Sequence, residues 1–158
     1  MIIVFVGVWV VDGRKNISRP LLAAYVLFIL METVIGRKTG VVQVELIPFW
    51  SYSHPEHWVE IILNYVLFIP FGLLLSLVKK RDEVGKDGEK EKSGVKLSTG
   101  RIVLIGLLFS AAIETTQLLF KIGVFEFDDM IGNTVGCFIG AVVGKMVKKK
   151  KKNTPEAV

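Results

Sequence analysis

Ile102-Val-Leu-Ile-Gly-Leu-Leu-Phe-Ser-Ala-Ala-Ile-Glu-Thr-Thr-Gln-Leu-Leu-Phe120 is apolar enough to span a bilayer, yet Glu114, Thr115, Thr116 and Gln117 interrupt it. Hydrocarbon offers such groups no hydrogen bonds, and an acid at the centre of a membrane helix costs about 2.5–3.5 kcal/mol on insertion scales. Glu114 is therefore expected to face other helices or a wet cavity, and its neighbours must come from the rest of the chain.

The 158 residues are 51% hydrophobic, and the apolar residues come in blocks, as they do in membrane proteins. Leu21 to Gly36, Val59 to Val78 and Ile102 to Phe120 each approach the roughly 20 residues that a helix needs to cross a bilayer. A fourth block, Met130 to Val147, has no acid after Asp129 and no base before Lys145. The predicted fold is all-α, a polytopic transmembrane helical bundle of four full spans within one domain over residues 1–147. The opening Met1 to Val11 rises only about 16 Å as a helix. It is read as a half-length re-entrant helix or as a span whose beginning is missing, and it lacks the basic start and cleavage site of a signal peptide.

Basic residues concentrate in Lys79 to Arg101 and from Lys145 to Lys152, and basic flanks stay cytoplasmic. Both segments are thus expected inside, with Gly40 to Trp58 and Lys121 to Asp129 outside; Arg37 and Lys38 run against this bias but are outvoted. Residues 79–101 alternate charge with hardly an apolar side chain, which predicts a flexible cytoplasmic loop. Residues 148–158 form a Lys-rich cytoplasmic tail, drawn to anionic headgroups. No nucleic-acid motif accompanies it. The single cysteine, Cys137, excludes an intrachain disulfide and reads as a packing residue.

The expected outer face gathers the polar residues of the spans. Glu45 to Trp58 contains two prolines and the aromatics Trp50, Tyr52 and Trp58, which suit a headgroup-zone loop. His54 and His57 with Glu56 lack a third ligand nearby, short of the three that catalytic zinc takes, so no metal and no cofactor is expected. Pro70, inside the second full span, frees the carbonyl of Val66 and calls for a polar partner there. Asn64 lies about 8–9 Å below the outer end of that span. Glu114 and Gln117 share one face of the third at i and i+3, above Ser110 and Gly106. Asp128, Asp129 and Asn133 open the fourth, whose Gly132, Gly136, Gly140 and Gly144 repeat G-x-x-x-G and predict close helix packing. Depth alone thus assembles Asn64, Glu114, Gln117, Asp128, Asp129 and Asn133 into one polar outer-leaflet cluster. Interhelical hydrogen bonds would explain such a cluster as glue, but glue needs no ionisable groups. The acids therefore point to a site, with Glu114 and Asp129 as the candidate catalytic residues.

Leu46-Ile-Pro-Phe49, then Asn64 to Gly72 as N-x-x-x-F-x-P-F-G, Glu114 to Gln117 as E-x-x-Q, and Gly123 to Gly140 with E-x-D-D-x-x-x-N-x-x-G resemble the VanZ family of small bacterial membrane proteins, over about two-thirds of the chain. The chain departs from the family pattern at Glu45, often Asn, and at Gly123, often Arg. The resemblance implies a role at the cell envelope and, for the name-giving member, resistance to the lipoglycopeptide teicoplanin by making its target less available.

The first functional expectation is a non-enzymatic envelope protein that binds membrane lipids or a lipid-linked envelope precursor at the outer leaflet. The alternative is a membrane enzyme acting on such a substrate through Glu114 or Asp129. Transport ranks third, because the chain has no internal repeat.

Overall fold

The computed structural model describes residues 18–35, 40–78 and 97–153. Met1 to Val11, Arg37 with Lys38, residues 79–96 of the charged loop and residues 154–158 of the tail lie outside the described residues. The described chain runs α1 (Ser18–Leu30), a π-helical turn (Met31–Ile35), β1 (Val41–Glu45), short 3-10 turns (Ser51–Ser53 and Pro55–His57), α2 (Trp58–Leu77), α3 (Thr99–Phe120), β2 (Ile122–Glu126) and α4 (Phe127–Asn153). Four helical segments are long and apolar enough to cross a membrane: Ser18–Ile35, Pro55–Leu77, Thr99–Phe120 and Phe127–Lys150. Leu27, Ile62, Leu63, Leu108 and Leu119 are exposed on them, as lipid-facing side chains are.

Several expected boundaries shift. Thr99–Arg101, assigned to the loop, form the first turn of α3, where the Ser98 hydroxyl accepts from the Arg101 backbone N–H at 3.2 Å as an N-cap. Helix α4 starts at Phe127, which brings both aspartates into its first turn, and it continues through the tail lysines to Asn153. Acids at its start and lysines near its end both suit the helix dipole.

The segments on either side of the sheet end are more ordered than loops. Strands β1 and β2 pair in parallel, with Val41 opposite Ile122 and Glu45 opposite Glu126. The connection between them is the whole α2–α3 hairpin, the long crossover a parallel pair requires. Helix α3 ends at Lys121 in the left-handed region, φ 56°, and Gly40, φ 107°, donates its N–H to the Lys121 carbonyl at 2.8 Å.

The bundle is tightest where α2 meets α4. A Cβ on Gly136 would stand 2.5 Å from the Tyr65 carbonyl oxygen, and one on Gly140 only 1.9 Å from that of Ile69. From the other side, a Cβ on Gly72 would meet the Cys137 carbonyl oxygen at 2.0 Å. Lipid tails are as apolar as the side chains, so association rests on close packing, and small residues permit it. Gly132 is looser, its nearest neighbour being the Asn64 Cβ at 3.5 Å. Cys137 is fully buried against Ile102, with Gly106 leaving room for its sulfur. Phe68, Phe71 and Phe109 pack around it with ring centroids 5.1–6.0 Å apart.

At the opposite end from the sheet, Lys148 donates to the Ser76 carbonyl and Lys145 to the Thr99 hydroxyl. These two lysines tie α4 to the ends of α2 and α3, and Lys149 and Lys150 are exposed.

Candidate functional site

Glu114, Gln117, Asp128 and Asn133 are all buried, at 2%, 1%, 5% and 3% exposure. Their partners differ. Glu114 Oε2 accepts the backbone N–H of Glu126 at 3.1 Å, joining α3 to the end of β2. Asn133 donates to the Ser110 hydroxyl at 2.9 Å, one turn below Glu114 on the same face. Asp128 spends both oxygens on the loop before α2, accepting Phe49 N–H at 2.6 Å and Ser51 N–H at 2.9 Å. Phe49 stands at φ 64°, a conformation rare for a bulky residue, so the carboxylate holds a strained loop in place.

Gln117 donates to the Thr33 carbonyl at 2.9 Å. Thr33 lies in the π-helical turn that ends α1, and its hydroxyl bonds back to the Ile29 carbonyl at 2.8 Å. Such turns leave carbonyls free for side chains and recur at functional sites. The side-chain oxygens of Gln117 and Asn133 are buried without a hydrogen-bond partner among the described residues, so each leaves an acceptor unspent.

Beside this layer, a groove of about 640 Å³ runs between α1 and α2. Phe28, Leu63, Val66, Leu67 and Pro70 form its apolar wall. Glu32, Thr33, His57, Glu60, Asn64, Glu126 and Asp129 meet at its sheet end. Of the six residues the sequence grouped by depth, Asn64 and Asp129 line the groove; Glu114, Gln117, Asp128 and Asn133 are not among the lining residues. Tyr25, also in the lining, donates to the Leu67 carbonyl at 2.9 Å. The polar partner expected at the carbonyl of Val66 is thus made one residue further along.

The aromatic loop is more engaged than an interfacial anchor needs to be. Tyr52 and Tyr65 share a hydrogen bond at 2.7 Å, and Trp58 donates to the Tyr52 carbonyl at 3.1 Å. Burial, then the bond to Tyr65, pushes the Tyr52 phenol well above its ordinary pKa, with Asp128 and Asp129 adding to the effect. His54 bonds the Trp50 carbonyl at 2.9 Å and stacks on its ring, while His57 faces Glu60 at 3.2 Å. Among the described residues no group of three or more His, Cys, Asp or Glu is placed to hold a metal ion.

The sequence model of the VanZ/LLP1 family matches residues 20–148, which takes in all four helices and the groove. The chain belongs to the VanZ family. It is 31% identical over 134 residues to Protein VanZ of Enterococcus faecium, a match covering 80% of this chain and 72% of that protein. No solved structure matches it.

The structure gives physical roles to the stretches that carry the VanZ resemblance. Leu46-Ile-Pro-Phe49 is the loop clamped by Asp128, and the departure at Glu45 supplies an oxygen to the Ile47 N–H at 3.1 Å. Asn64 to Gly72 forms one wall of the groove and, through Gly72, the tight contact with α4. Glu114 and Gln117 fasten α3 to β2 and to the end of α1. Gly123, the second departure, is buried opposite Val42 in the strand pair. Sequence reasoning missed Glu32, Thr33 and Glu60 as groove residues. For Glu32 a signal existed: an acid near the C-terminal end of an apolar helix opposes the helix dipole.

Proposed function

We propose that this chain is a multi-pass protein of the bacterial cell envelope that takes a lipid or lipid-linked envelope component into the groove between α1 and α2. By shielding that component it would contribute to resistance against teicoplanin-type glycopeptides. The supporting observation is the groove itself, with an apolar wall along two membrane-length helices and polar groups gathered at one end. Its 640 Å³ falls in the range of small-molecule sites, and its division suits an amphiphile whose chain stays at the lipid side.

In this reading the sheet end faces outward and the lysine end inward, so the C-terminus is cytoplasmic and Lys149 and Lys150 meet anionic headgroups. Labelling of a cysteine introduced at Ser93 by an impermeant reagent on intact cells would reverse that orientation.

Leu63→Trp tests the groove, because Leu63 is exposed and lines it without entering the glycine-lined contact. The variant should insert and melt like the parent while retaining less lipid in native mass spectrometry and protecting a teicoplanin-sensitive host less. Parent-level lipid retention and protection would remove the groove from the function.

A further inference from the structure

We infer that the groove selects an amine-bearing lipid headgroup over an anionic one, an inference that rests on the groove being the lipid site proposed above. Four carboxylates, Glu32, Glu60, Glu126 and Asp129, reach its sheet end from four different elements: the π-helical turn, α2, β2 and α4. The described lining contains no Lys or Arg, and its one histidine, His57, already faces Glu60.

Most of these acids have a simple local reason to be there. Glu60 and Asp129 lie in the first turns of α2 and α4, and Glu126 just precedes α4, where a negative charge suits the helix dipole. Glu32 has no such reason. It stands at the C-terminal end of α1, where the dipole disfavours an acid, and among the described residues it has no hydrogen bond or ion pair. An exposed carboxylate at that place, lining a groove whose other wall is apolar, is open to a cation arriving from outside the chain.

An ammonium fits this end. It carries three donors and no acceptor, and the lining of this end supplies carboxylates and the Asn64 amide as acceptors. A phosphate or sulfate would meet like charge from the carboxylates of this lining, and like-charge juxtaposition is a strong means of rejecting the wrong partner. Lipid beside the groove lowers the local dielectric, which strengthens both effects. The apolar wall of Phe28, Leu63, Val66, Leu67 and Pro70 then receives the upper part of the acyl chain.

The test uses the full chain in phosphatidylcholine nanodiscs with three photoreactive probes of one alkyl chain, ending in an ammonium, a hydroxyl or a sulfate. Labelling of the α2 peptide across Leu63–Pro70 is read by mass spectrometry. The ammonium probe should label it about tenfold more than the sulfate probe. Glu32→Gln and Glu60→Gln, both at exposed positions, should each reduce that ratio severalfold. Equal or stronger labelling by the sulfate probe overturns the inference while the groove remains a lipid site. An ammonium preference that survives both substitutions overturns it too, since the selectivity would then come from elsewhere. Absence of labelling by all three probes in the parent would sink the groove as a lipid site, and this inference with it.

Discussion

Helix α2 has two unlike neighbours. Against α4 it packs backbone to backbone, with Gly72, Gly136 and Gly140 leaving no space for even a methyl group. Against α1 the contact is far thinner: Tyr25 reaches the Leu67 carbonyl, and beside it opens a groove of about 640 Å³. One helix thus carries the rigid seam of the bundle on one side and an open groove on the other. Where packing alone holds helices together, every added atom is an intrusion; where helices stand apart, a guest has room. The same division would let α1 shift to admit a lipid while α2, α3 and α4 stay fixed.

The largest expected effect breaks the tight side. Gly140→Ala brings a methyl group to 1.9 Å from the Ile69 carbonyl oxygen, and the obstacle is backbone, which cannot rotate away. A loss of about 3 kcal/mol is expected, at the upper end of ordinary overpacking. Gly132→Ala, on the same helix face but 3.5 Å from its nearest neighbour, should be neutral or slightly stabilising. Thermal melting of the two variants in one lipid checks the contrast, and equal midpoints would mean that α4 does not lie against α2 as described.

A second comparison separates two buried acids that the sequence placed together. Asp128 has both oxygens on backbone donors, so Asp128→Asn puts an amide NH₂ against one N–H and should cost about 1.5–3 kcal/mol. Glu114→Gln keeps an oxygen for the Glu126 N–H and should cost less. Neither residue lines the groove, so a stably inserted Glu114→Gln should keep lipid retention. Asp129→Asn, at the groove, should lose part of it. A folded Glu114→Gln without lipid retention would return Glu114 to the centre of the site.

The helices were legible because a membrane span announces itself by length and apolarity, and Ile102–Phe120 showed by its polar interruption which face must be buried. The strand pair was not legible. Val41–Glu45 finds its partner about eighty residues later, and nothing local to either segment names the other. The polar cluster was half legible for a related reason. Counting from a span end gives depth but not direction around the helix, so Asn64 and Asp129 were grouped with residues that turn inward. The π-helical turn, which brings Glu32 and Thr33 to the groove, has no sequence mark beyond the acid itself.

The smallest effect lies on the open side and is the most informative about it. Tyr25→Phe removes only the hydroxyl that meets the Leu67 carbonyl, a bond worth about 0.5–1.5 kcal/mol. Because α1 contributes little to the rigid seam, the global melting point should move less than for Gly140→Ala. The Leu67 carbonyl borders the turn that Pro70 disrupts, so losing its donor loosens the α1–α2 contact where the groove wall is formed. Backbone amides of α1 should therefore exchange faster in the variant while those of α3 and α4 keep their protection. Uniformly faster exchange across all four helices would show that α1 is part of one cooperative unit, and the groove could then open only by loosening the glycine-lined seam as well.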